Sequence, residues 1–252
     1  MTATVDVARH GHTEVITINR PERRNALNAE VMGGIGVAFA AAEIDDDVRV
    51  VVLTGAGDLA FCAGGDLRDR GTPPPPGTPG LEVFTNRCYP KPVVCAVNGL
   101  ALGGGFELAM ASDIVIAADH ATFGMPEVKR GLVGAGCSTR LSARVPPAIA
   151  FEMGFTGDPI SVGRAYALGL VNEVVPGAEL MDRALEMADR IAANAPISLR
   201  VTKELMWHEM GMHDQAEWTA IRAQAAPVFA SEDAREGAAA FAQKRRPVWT
   251  GR

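Results

Sequence analysis

Along the first half of the chain, apolar and polar positions follow two different periods. Residues 13–19 (TEVITIN) alternate, carry β-branched side chains and stop at Arg20-Pro21, which predicts a strand ended by a proline. Residues 28–42 space Ala, Val and Ile as a helix does, with Asn28 as the capping residue and Glu30 in the first turn. Residues 48–54 (VRVVVLT) are apolar nearly throughout, as in a strand buried on both faces, and close on Gly55-Ala56-Gly57. Residues 93–98 (VVCAVN) and 114–118 (IVIAA) repeat that type. Strands alternating with helices predict βαβ units and a mostly parallel sheet, an α/β fold.

From residue 161 onward the period is helical. Residues 178–195 place Met181, Leu185, Ala188 and Ile191 on one stripe, with Glu186 and Arg190 as an i,i+4 pair. Further helices are predicted over about 197–208, 212–229 and 232–243, the last capped by Ser231. The chain thus divides into a β/α core, residues 1–195, and a helical region, residues 196–252. Between the two patterns of the core, residues 71–80 (GTPPPPGTPG) form an extended, exposed loop expected beside a pocket.

Composition narrows the function. The 24 basic and 30 acidic residues leave a net charge of −6, which argues against nucleic acid or an anionic membrane as partner, since both need a basic face. No run of about eighteen apolar residues is present to span a bilayer. The start lacks a basic and then apolar leader. The four cysteines, Cys62, Cys88, Cys95 and Cys137, form no CxxC pair, as expected of reduced thiols in a cytoplasmic protein.

The common catalytic signatures do not occur. There is no phosphate-binding loop of the G-x-x-x-x-G-K-[ST] type and no G-x-S-x-G elbow. His208 and His213 are five apart, where a zinc-binding helix needs four, and His10 and His12 could share a strand face but lack a third ligand. Three glycine-rich stretches remain: Ala63-Gly64-Gly65-Asp66, Gly103-Gly104-Gly105, and residues 131–136. The first two each follow a strand-like run, so their backbone amides could converge as an oxyanion hole, or they could be two tight turns. Glu107 lies among apolar neighbours (GFELAMA), an odd place for a charge unless it faces a cavity, and Glu127 follows a proline in FGMPE. Together they could act as an acid/base pair holding a water.

These residues resemble the crotonase (enoyl-CoA hydratase/isomerase) superfamily. The matching blocks are residues 18–27 (INRPERRNAL), 61–67 (FCAGGDL), 96–108 (AVNGLALGGGFEL), 123–127 (FGMPE) and 169–175 (GLVNEVV), in family order. The tail, residues 231–249, resembles the carnitinyl-CoA dehydratase branch.

The resemblance implies a spiral of ββα turns over residues 1–195 and a helical oligomerisation region over 196–252, building a homotrimer or a dimer of trimers. It implies an acyl-CoA thioester substrate and no metal or redox cofactor, CoA being part of the substrate. Carried over by motif, the amides of Gly65 and Gly104 hold the thioester oxygen, and Glu107 and Glu127 are the catalytic carboxylates. Ala63, Asp66, Leu67 and Arg68 would line the CoA side, Arg23, Arg24 and Ala26 would flank its adenosine and pantetheine, and Phe241 and Lys244 would reach the CoA of a neighbouring subunit. The implied reaction is reversible hydration of a 2-enoyl-CoA; the alternatives are an enoyl-CoA isomerase and a non-catalytic acyl-CoA-binding protein. One departure stands out: residues 131–141 (GLVGAGCSTRL) lack the proline usual after the second glutamate and are one residue shorter, at a place expected to shape the acyl pocket.

Overall fold

The computed structural model describes residues 3–68, 75–210, 215–250 and 252. Val5–His10 (β1) and Thr13–Ile18 (β2) form an antiparallel hairpin through Gly11. Pro21–Arg23 is a single tight turn, and Ala29–Ile44 (α1) follows with the expected cap, the Asn28 side chain accepting from the Val31 amide at 3.0 Å. The middle of the chain is Val50–Gly55 (β3), Ala60–Cys62 (β4), Glu82–Thr85 (α2), Val93–Val97 (β5), Leu100–Leu102 (β6), Gly104–Ala111 (α3), Ile114–Ala118 (β7) and Thr122–Gly124 (β8). After a 3-10 turn at Pro126–Arg130 come Ala135–Arg144 (α4), Pro147–Thr156 (α5), Ile160–Ser161 (β9), Val162–Ala167 (α6) and Glu173–Val175 (β10). The remainder is helical: Leu180–Ala192 (α7), Pro196–Glu209 (α8), Gln215–Ala230 (α9) and Glu232–Ala242 (α10).

The strands form two sheets. One runs β1-β2-β3-β5-β7-β10 and is parallel from β2 onward; the other runs β4-β6-β8-β9, with β4, β6 and β8 parallel. The near-continuous apolar strands are explained by burial on both faces. Val50, Val52, Val94 and Ala96 pack toward α7, while Val51, Leu53, Val93 and Cys95 belong to the core shared with α1. Among the described residues no helix is long and apolar enough to cross a membrane.

Three readings of the polar pattern change. The buried seam of α7 is Leu180, Ala184, Ala188 and Ala192, with Met181 and Ile191 at its margin and Leu185 only partly buried. Three alanines let the helix approach the sheet more closely than the larger stripe would. Glu186 is bound by Arg183, which also takes Glu173 at 2.6 Å and so ties α7 to β10, in place of the pair with Arg190. His10 and His12 flank the hairpin turn and go to separate partners, Asp189 at 3.7 Å and the Asp47 carbonyl at 2.9 Å. Of the predicted loop at 71–80, residues 71–74 lie outside the described residues, as do 212–214 of the helix predicted from 212, including His213. Pro75 and Thr78 do line a groove of about 770 Å³ between β1 and α1.

Candidate active site

The small sheet brings the first two glycine stretches together. After β4 the chain turns through Gly64, whose φ is 90°. The amides here can be followed one by one: Ala63 donates to the Arg24 carbonyl at 3.0 Å, Gly64 to the Cys62 sulfur, and Asp66 to the Leu27 carbonyl at 2.8 Å. The Gly65 amide makes no hydrogen bond among the described residues, and the residue is exposed. After β6, Gly103 adopts φ 55°, a conformation that favours glycine, and opens α3 with no side-chain cap. The Gly104 amide therefore stands at the uncovered positive end of a helix. A Cβ on Gly104 would lie 3.9 Å from the Gly65 nitrogen, and one on Gly64 would lie 3.4 Å from the Gly104 nitrogen. Two donors at one corner, neither with a hydrogen bond among the described residues, can hold an oxygen that gains negative charge.

Two buried asparagines fix this corner. Asn25, itself at φ 55°, donates to the carbonyls of Ala56 at 3.0 Å and Ala60 at 2.7 Å; Asn98 donates to the Gly57 carbonyl at 2.6 Å. Both lock the loop that delivers β4 to the sheet, and so the glycines that follow it. Neither was a candidate from the sequence, although each sits inside a matched block.

Both carboxylates point at the same corner. Glu107 lies in the first turn of α3, three residues beyond Gly104, and Glu127 lies in the 3-10 turn behind Pro126. The Glu127 Oε1 is 3.1 Å from where a Cβ on Gly103 would stand, so this carboxyl sits over the turn that presents the Gly104 amide. The third glycine stretch now gains a purpose. A Cβ on Gly134 would fall 3.1 Å from the Glu127 carboxyl, and one on Gly136 only 1.7 Å from Glu107 Oε1. Only a residue without a side chain leaves room there for the Glu107 carboxyl. The sequence showed this run of glycines but not the two carboxylates it accommodates.

Burial raises both acids. Glu127 is pushed up to about 6 by loss of solvent, against a stabilising backbone hydrogen bond and with the charge of Glu107 adding to the rise. Its Oε2 is buried with no hydrogen-bond partner among the described residues. Burial likewise raises Glu107, opposed by the positive charges of Arg140 and Arg222. Two coupled acids in a dry corner share protons as a pair, which suits one to give a proton while the other takes one.

The remaining candidates surround this corner at different distances. Ala63, Leu67 and Ala26 are partly buried beside the first glycine turn, and Arg23, Arg24 and Arg68 are exposed near it in the chain. The Asp66 carboxylate is held by Arg20 at 3.3 Å and by the Arg68 amide at 3.0 Å, so its first task is to brace the turn. Phe241 and Lys244 stand against the turn that carries Glu127 in their own chain: Arg130 stacks on the Phe241 ring at 4.0 Å, and Lys244 lines the same cavity of about 260 Å³. Of the basic cluster that ends α10, Arg245 is bound to Glu236 at 2.5 and 2.7 Å.

The family profile described as Enoyl-CoA hydratase/isomerase matches residues 10–252. A carnitinyl-CoA dehydratase of Escherichia coli (strain K12) is 40% identical over 264 aligned residues, covering 100% of both chains. Among solved structures, the carnitinyl-CoA hydratase from Mycobacterium avium is 40% identical over 100% of both chains, with a TM-score of 0.91. The enoyl-CoA hydratase from Mycobacterium tuberculosis H37Rv is 42% identical over 99% of this chain and 100% of its own, with a TM-score of 0.78.

Proposed function

This chain belongs to the enoyl-CoA hydratase/isomerase family, and from that premise we propose that it adds water reversibly across the 2,3 double bond of a 2-enoyl-CoA thioester. The carrying observation is the single corner shared by two raised carboxyls and two amides that make no hydrogen bond among the described residues. The amides of Gly65 and Gly104 bind the thioester oxygen as it becomes an enolate oxygen. One carboxylate takes a proton from the water whose oxygen attacks C3, and the other carboxyl delivers a proton to C2. The proton gained by the first replaces the one lost by the second, so the pair returns to its starting charge. Elimination of water is the same path in reverse.

Arg23, Arg24, Ala26, Ala63, Asp66, Leu67 and Arg68 flank the CoA moiety, and Phe241 and Lys244 meet the CoA of a neighbouring subunit. Residues 1–195 form the catalytic core and residues 196–252 the region of self-association in a trimer or a dimer of trimers. The exposed apolar stripe of α8, with Ile197 at 72% and Leu205 at 66% exposure on one face, supports an interface there. Carnitinyl-CoA is the first acyl group to assay, because relatives over the full length carry that name.

Absorbance of the conjugated thioester provides the test. The wild-type protein should consume the absorbance of a 2-enoyl-CoA, and E107Q and E127Q should each do so about 10²–10⁴-fold more slowly while still unfolding cooperatively. Absorbance rising instead on a 3-enoyl-CoA, with no hydration, would assign an isomerase. Near wild-type hydration by E107Q would end the two-carboxylate mechanism.

A further inference from the structure

One arginine grips both segments that hold the Gly65 amide. Gly65 is exposed, and a Cβ on it would meet nothing within 4 Å, so packing does not set the direction of its N–H. The backbone sets it. The Gly64 carbonyl and the Gly65 N–H belong to one planar peptide unit and point opposite ways. The Leu27 amide donates to that carbonyl at 2.9 Å, and the Asp66 amide donates to the Leu27 carbonyl at 2.8 Å, so Leu27 holds the turn on both sides of Gly65. Arg20, two residues past the end of β2, reaches both partners of this bridge. Its Nη1 donates to the Ala26 carbonyl, beside Leu27, at 2.8 Å. Nη1 and Nη2 reach Oδ2 of Asp66, beside Gly65, at 3.4 and 3.3 Å. The two side chains are 14% and 12% exposed, so water screens the pair little.

We infer that Arg20 is a positioning residue for the Gly65 amide: by clamping Ala26 to Asp66 across the Leu27 bridge, it aims the Gly65 N–H at the corner where the Gly104 amide stands. The inference rests on the proposed use of those two amides and concerns a side chain that acts only through the backbone. A peptide N–H stabilises a developing charge most when it is already aimed, because no reorganisation is then left for the moment of reaction. A turn of two glycines has the torsional freedom to lose that aim. The planar fork of a guanidinium can serve acceptors on two segments at once, which the point charge of an ammonium does less well. Arg20 is itself anchored, its own amide donating to Oδ1 of Asn25 at 2.9 Å. Without the guanidinium, the Asp66 carboxylate would keep the Arg68 amide at 3.0 Å, a partner within its own turn, and the tie to the Ala26 segment would be gone.

The aim of the amide can be read on a bound thioester that does not react. Isotope-edited infrared spectra of butyryl-CoA, labelled at the thioester carbonyl, report hydrogen bonds to that oxygen as a shift to lower frequency on binding. R20M should lose roughly half of the wild-type shift, since one of two donors is misdirected. Its kcat for hydration should fall about 10- to 100-fold with KM little changed. R20K should lie between wild type and R20M. D66N breaks the clamp from its other side and should reproduce the lost shift, and R20M/D66N should lose little beyond either single variant. L53A, in the centre of β3, is the control for stability: it should lower the melting temperature and keep the whole shift. A full shift in folded R20M or D66N would overturn the inference, as would an equal loss in L53A. Should the single variants fail to fold because one charge is left unpaired, R20M/D66N, which leaves none, decides on the same terms. A wild-type protein that shifts the carbonyl but hydrates no enoyl-CoA would defeat the proposed function and leave the role of Arg20 standing. No shift in wild type at saturating butyryl-CoA would overturn the inference together with the use of the two amides.

Discussion

The two sheets are built to different standards. In the larger one, the six residues of β3 are all buried and pair in register with β2 on one side and β5 on the other. In the smaller one, β4, β6 and β8 have three residues each, β9 has two, and the β4–β6 register shifts between Ala60 and Cys62. Yet Gly65, Gly104 and Glu127 each lie within three residues of a small-sheet strand end. Long strands buried on two faces have their register fixed by packing. Short strands free the backbone within a residue or two, and the freed amides and turns are what the proposed chemistry uses. The difference teaches that the large sheet carries stability and the small one carries position.

The comparison breaks most readily at Leu53, which is 0% exposed at the centre of β3. Leu53→Ala should cost about 2–5 kcal/mol of stability by leaving a cavity, with little change in kcat for the molecules that remain folded. Chemical denaturation together with active-site-normalised kinetics would check both halves. A large fall in kcat at full folding would show that the two sheets are not divided in this way.

Gly65 gives the opposite signature. Its amide holds up no other part of the fold, and a Cβ there would meet nothing within 4 Å. Gly65→Ala should therefore be close to neutral. Gly65→Pro deletes the donor and should raise the barrier to turnover by about 3 kcal/mol with the melting temperature nearly unchanged. Turnover surviving in folded Gly65→Pro would remove this amide from the site.

How much of this was open to a reader of the sequence follows the same division. The long strands and the starts of α1 and α10 were legible, because an apolar run and a capping Asn28 or Ser231 act locally. Glu107 was legible as a charge in apolar company. β1 was not, since all but its first residue are exposed and no buried face shows in the pattern. Nor were Asn25, Asn98, Gly134 and Gly136, whose partners lie on other elements and leave no periodic trace. The α7 seam was misplaced because the pattern ranks large apolar residues above alanine, whereas close packing on a sheet selects alanine.

The smallest predicted effect tests the position-bearing side thermodynamically. Glu127 in the folded chain titrates at about 6, above its ordinary 4.5, because burial disfavours its charged form. The folded state then binds this proton more tightly than the unfolded state does. The contribution to stability is complete below about pH 4.5 and is lost as pH rises through about 6. A gap of about 1.5 units corresponds to about 2 kcal/mol, so the fold should be weaker by that amount at neutral pH than it would be with an unperturbed acid. Glu107, raised by the same cause, changes stability in the same direction. E127Q cannot ionise and should lose the Glu127 share of this dependence. Urea midpoints at about pH 4.5 and pH 7 for wild type and E127Q read it together with its coupling to Glu107, since the acids remote from this pair cancel. Equal pH dependence in the two proteins would mean that Glu127 is solvated like a surface acid, and the small sheet would then not be holding its carboxyl out of water.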